Sequence, residues 1–231
     1  MTPKPSDDLA GTFARLGGAD DGPVWSALWD DLCHQASVYD DSFLALPYLA
    51  AIADGRAPGA RSDAVLMAGL VMSAADDERT ARYADEVAVL LPAARRLLEA
   101  EGGDASTFLY YLQCVLAFEG DRVWSAGRLE GLREQEYEIE CPSCWSDLFI
   151  VFGDDGAFAS AGDPVTVDDP PEAALFPADP AALAPLPERL HRTATRAGHE
   201  DVARGLTYLF GRATCPDCGD VFAVSDRVEA C

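Results

Sequence analysis

The stretch Glu136-Tyr137-Glu138-Ile139-Glu140-Cys141-Pro142-Ser143-Cys144, with the apolar run Leu148-Phe149-Ile150-Val151-Phe152 after it, decides how this chain is read. Residues 136–140 alternate polar and apolar, as a half-buried strand does. Residues 148–152 predict a second strand, ended by Gly153-Asp154-Asp155-Gly156. Between the two, Cys141 and Cys144 stand three apart and can turn both thiolates toward one point. Pro142 fixes φ at about −65° inside that turn. The pattern returns at Cys215-Pro216-Asp217-Cys218-Gly219, followed by Val221-Phe222-Ala223-Val224. Two such pairs supply four sulfurs to a tetrahedral metal, with Zn–S distances of about 2.3 Å. One structural zinc on Cys141, Cys144, Cys215 and Cys218 is the expectation. Iron, which takes the same ligands, is the runner-up. Two separate redox dithiols come third, because neither pair opens a helix after a strand. A closed four-cysteine site holds a fold together, whereas a catalytic zinc keeps a position for water.

The charge balance narrows the choice of partner. Against 17 basic residues stand 40 acidic ones, for a net charge of −23. Lysine occurs once, at Lys4, and asparagine is absent. Such a surface repels a phosphate backbone, which clustered Lys and Arg would have to neutralise, so nucleic acid is not expected. The same field can recruit a basic protein. The lone Lys4 leaves no lysine for a nucleotide-binding loop, and neither GxSxG nor GxGxxG occurs. No run of eighteen uncharged apolar residues predicts a membrane span. The start, Met1 to Asp8, carries no apolar stretch of a secretory signal. A cytoplasmic, reducing setting is expected, in which paired cysteines favour metal over disulfide.

The chain ahead of residue 136 reads as helical. Residues 1–22 are expected to be a poorly ordered lead-in. Trp25, Leu28, Trp29, Leu32 and Ala36 share one face of a helix over 24–36. Further helices are predicted over 43–53, 62–75, 78–100 and 122–133, with another behind an Asp104 or Ser106 cap whose Phe108, Leu112, Val115 and Leu116 form the inner face. Phe43-Leu44-Ala45-Leu46-Pro47 is echoed by Ala88-Val89-Leu90-Leu91-Pro92, 45 residues on (43 to 88). That spacing falls in the range of HEAT and armadillo repeats, about 40–47 residues. Residues 157–185 read as loop, and residues 186–210 as a helical hairpin broken at Gly198. Cys33 and His34 are adjacent and point apart on a helix, while Cys114 sits in an apolar helix. His191 and His199 lie eight apart without an HExxH pattern. None of these is expected to be a site.

Residues 24–54, above all Leu32-Cys33-His34-Gln35-Ala36-Ser37-Val38-Tyr39-Asp40 followed by Ala45-Leu46-Pro47-Tyr48-Leu49, resemble the opening of bacterial HEAT-like helical-repeat proteins. Some of these are implicated as immunity proteins of polymorphic toxin systems. The resemblance covers roughly residues 24–135, while the four cysteines resemble a zinc ribbon split by a helical insertion. The expected fold is therefore mainly α: HEAT/armadillo-like α–α repeats over 23–135, then a small zinc-ribbon module over 136–231. The resemblance implies a binding role with no catalytic residues to carry over. The expected function is a non-enzymatic interaction protein with a basic protein partner. The alternatives are an immunity protein neutralising a basic toxin and, from another class, a cysteine- or metal-dependent enzyme.

Overall fold

The computed structural model describes residues 6–34, 37–100, 103–153 and 156–230. The chain divides into two compact units, Met1–Gly127 and Arg128–Cys231.

The first unit is helical: α1 (Ser6–Phe13), α2 (Gly22–Leu32), α3 (Leu46–Ala53), α4 (Arg61–Ser73), α5 (Asp77–Arg82), α6 (Ala84–Ala100) and α7 (Ala105–Phe118). The lead-in is anchored, because Phe13 and Leu16 are buried and the Phe13 ring stacks on Tyr48 at 4.9 Å. Asp104 caps α7 by accepting from the Thr107 amide, and Asp76 caps α5 through the Arg79 amide. Three predicted helices differ. The first stops at Leu32, where Cys33 turns extended and strand β1 (Cys33–His34) pairs antiparallel with β2 (Ser37–Val38). Ser42 fixes this exit: its hydroxyl donates to the Leu32 carbonyl at 2.6 Å and accepts from the Tyr39 amide. The helix predicted over 78–100 breaks at Tyr83 into α5 and α6. The one over 122–133 reduces to a kinked turn, Trp124–Arg128, and the short α8 (Gly131–Glu134).

The repeat expectation is overturned. In a solenoid each helix pair touches only its neighbours. Here α4 packs against α3, α6 and α7, and α6 also packs against α3, so the helices surround a shared core. The apolar α4 occupies its middle, with Ala64, Val65, Met67, Ala68 and Val71 fully buried. Nor is the 45-residue echo structural. Pro47 stands in the first turn of α3, where its missing amide costs nothing, whereas Pro92 lies inside the helix α6.

The second unit is no small ribbon. Helix makes up 57% of the structure, yet this unit is built on a curled six-stranded antiparallel sheet in the order β3-β4-β5-β6-β7-β8. The strands are β3 (Glu136–Glu140), β4 (Asp147–Gly153), β5 (Gly156–Ser160), β6 (Glu172–Phe176), β7 (Arg212–Thr214) and β8 (Val221–Ala223). The predicted loop over 157–185 thus contains two strands. β5 is set by its register on β4 (Val151 opposite Phe158, Ile150 opposite Ala159), and β6 then bridges β5 to β7. The helical hairpin is present as α9 (Pro185–Arg196) and α10 (Glu200–Leu209), and α11 (Val224–Ala230) follows β8. One face of the sheet is buried through Tyr137, Ile139, Leu148, Ile150, Phe152 and Phe222, and α10 buries Leu206 and Leu209. Gly205 lets α10 approach the sheet: a Cβ there would stand 3.0 Å from both Phe152 and Leu132.

Candidate metal centre

The two CPxC segments fold into the same turn. The Cys141 amide donates to the Ser146 carbonyl at 2.9 Å, and the Trp145 amide donates back to the Cys141 carbonyl at 3.1 Å. In the second segment the Cys215 amide donates to Asp220 at 2.8 Å and the Gly219 amide to Cys215 at 2.9 Å. Each turn needs a left-handed residue directly after its second cysteine. Gly219 supplies one at φ 77, and Trp145 is held there at φ 63.

The sheet brings these turns together. Cys141 leaves the edge strand β3, and Cys215 leaves β7, four strands across. Curling of the sheet returns the far side to the near one, where α11 packs on β3. Arg227 of α11 donates Nε to the Glu140 carbonyl at 2.9 Å, and Arg128 donates to the Val228 and Glu229 carbonyls at the end of α11. A direct link joins the turns as well, since the Ser143 hydroxyl donates to Asp220 Oδ2 at 2.6 Å.

The four sulfurs lie within 4.8 Å of one another. Cys141 Sγ is 3.7 Å from Cys218 Sγ, and Cys144 Sγ is 3.7 Å from Cys215 Sγ. Four sulfurs at about 2.3 Å from a tetrahedral ion would be separated by about 3.8 Å. A disulfide would instead need about 2.05 Å. The spacing therefore fits a metal ion held between the pairs. The donor set does not separate zinc from iron.

Each pair has one buried and one exposed member: Cys141 and Cys215 are buried, Cys144 and Cys218 exposed. Backbone amides point at the sulfurs, from Ser146 to Cys144, from Asp220 to Cys218, and from Cys218 and Asp217 to Cys215. Such bonds favour thiolate and orient metal ligands. The Ser146 hydroxyl, at 3.3 Å, together with the Ser146 amide, lowers the Cys144 thiol to about 6. Burial pushes Cys215 up to about 12, so metal binding there must release a proton.

The remaining sequence candidates lie elsewhere. Cys33 is half-buried at the start of β1, and burial raises its thiol to about 11. Cys114 is buried in α7 and raised to about 12, again by burial. Cys231 and the side chain of His34 lie outside the described residues. His191 sits within α9, and His199 precedes α10 with its amide bonded to the Ala194 carbonyl. Among the described residues, no grouping of three or more His, Cys, Asp or Glu side chains other than the four cysteines is placed to hold a metal. Sequence reasoning missed the supporting residues Ser143, Ser146 and Asp220. Aligning the turns would have exposed two of them, because Ser146 and Asp220 both stand two places after the second cysteine. No helix among the described residues is long and apolar enough to cross a membrane. Comparison of the chain with protein-family models, with curated proteins and with solved structures finds no match.

Proposed function

We propose that Cys141, Cys144, Cys215 and Cys218 hold one zinc ion as a structural staple, in a non-catalytic protein whose partner is a basic protein. The pair of 3.7 Å sulfur separations, close to the edge of a zinc–thiolate tetrahedron, carries the metal reading. Four sulfurs fill a tetrahedral ion and leave no position for a reacting water. The ligands join the two sides of the sheet, which is what a cross-link is for. Reduced thiols suit a reducing compartment. The partner reading is supported by the net charge of −23, which steers cationic proteins and repels phosphate backbones.

Elemental analysis of the purified chain tests the staple. One zinc per chain is expected, with the four thiols reacting with a thiol probe only after chelation. Two metals, none, or thiols that react at once would overturn it, and iron in place of zinc would show in the same analysis. The partner half is read from association with a cationic protein as salt rises. The Debye length shrinks from about 10 Å at 0.1 M to about 3 Å at 1 M, so a rate that stays flat would refute charge steering.

A further inference from the structure

Trp145 is the most exposed aromatic side chain among the described residues, at 69%. An indole so exposed buries little apolar surface and so gives folding little. Its backbone sits at φ 63, in the left-handed region that L side chains avoid. The second turn shows what this position needs, because Gly219 fills it at φ 77 with nothing within 4 Å of where a Cβ would stand. One turn therefore uses the residue its backbone prefers, while the other carries a large indole into solvent at a cost in backbone strain. A side chain kept where it disfavours folding points to a use outside folding.

The surroundings say what the indole would meet. Asp147 is exposed two residues on and stands directly opposite the exposed Glu140 across β3 and β4. Like charges so placed repel each other. Asp217 is exposed in the second turn, and Asp220 is tied to Ser143 beside Cys144. Arg227 lies among these acidic residues: it donates Nε to the Glu140 carbonyl and lines one hollow with Glu138, Glu140 and Asp147. An exposed indole in a turn followed by Asp147, tied through Ser143 and Asp220 to a second turn that carries Asp217, suits a guanidinium or ammonium group laid over the ring face, where Trp is the best of the aromatic acceptors.

We infer that Trp145 is the anchor for a basic protein segment, taking an arginine or lysine side chain over its indole while Asp147, Glu140 and Asp217 supply the opposing charge. This rests on the proposal of a basic partner and gives it a place on the surface. Aromatic anchors with a polar rim are the residues on which protein interfaces depend most.

The test uses the metal-loaded full chain and a labelled oligo-arginine peptide, with an oligo-glutamate peptide as control, followed by anisotropy. Wild type is expected to bind only the arginine peptide, and less tightly as salt rises. Trp145→Gly removes the ring and relaxes the left-handed backbone. It should keep one metal per chain and melt no lower than wild type, yet lose about tenfold in affinity. Trp145→Phe should fall between the two. Arginine-peptide binding that persists unchanged in Trp145→Gly overturns the anchor and leaves the charge reading standing. Absence of binding in wild type, or binding indifferent to salt, overturns both. A Trp145→Gly chain that loses its metal or its fold shows a structural role, and that too overturns the inference.

Discussion

Removing the metal should cost the second unit much of its stability, and the topology sets the scale. An unfolded chain that gathers the same four sulfurs must close the loop from Cys144 to Cys215, 71 residues long. Closing such a loop costs about 4 kcal/mol in chain entropy at 25 °C. The folded chain, with the sulfurs already adjacent, should bind the ion more tightly by at least that amount. By linkage the same amount is stability that chelation takes away. Domains have only about 5–15 kcal/mol in total. For a unit of this size the loss corresponds to roughly 15–30 °C in melting temperature. The unit has a core of its own, with Ile150, Phe152, Leu206 and Leu209 buried, so the chelated unit should be marginal rather than shapeless. Hydrogen exchange with and without chelator is the assay. Peptides from β3, β4, β7 and β8 should lose protection, while those from α4 and α7, which carry none of the four ligands, should keep theirs. A stability change below about 1 kcal/mol, well under the loop estimate, would refute the entropic argument. Joint loss of the α4 and α7 protection would show the two units unfolding as one.

Three substitutions probe the supporting structure. Gly219→Ala forces a side chain into the left-handed backbone with no clash around it, and should cost about 1–2 kcal/mol in urea denaturation; no cost would mean that the turn does not need φ 77. Gly69→Ala would place a Cβ 2.8 Å from Cys114 Cβ and 3.0 Å from its Cα. Overpacking between α4 and α7 should then outweigh the better helix propensity, for a net loss of about 1–2 kcal/mol, and Cys114→Ala should restore only part of it; a stabilised single variant would contradict this packing. Burial, and then the charges of Asp163 and Glu138, raise Glu136 above its ordinary 4.5. The folded state then holds that proton more tightly than the unfolded one, so this group's contribution falls as pH rises from 4.5 through the folded value. Glu136→Gln should match wild type below pH 4.5 and be the more stable chain at pH 7; equal stability at both would remove the repulsion.

What the sequence revealed depended on how local each signal was. The CPxC spacing could be read directly, because three-residue spacing and a proline act within one turn. The cap at Asp104 could be read for the same reason. β5 and β6 could not, since Gly156-Ala157-Phe158-Ala159-Ser160 and Glu172-Ala173-Ala174-Leu175-Phe176 have little β preference of their own and become strands by pairing with neighbours. The same gap concealed how Cys141 and Cys215 meet, because the long separation read as an insertion is itself part of the sheet that joins them. The proline echo misled because one residue type marks a helix start at Pro47 and lies within a helix at Pro92. Trp145 stands where the second turn has Gly219, and only the backbone angle shows that the difference is strained.

The most direct test of the central claim is X-ray absorption at the metal edge of the purified chain, with the metal content measured on the same sample. The account predicts one zinc per chain, surrounded by four sulfurs at about 2.3 Å. Three sulfurs with an oxygen neighbour in the fourth position would mean an ion that holds a water, and would contradict a purely structural staple.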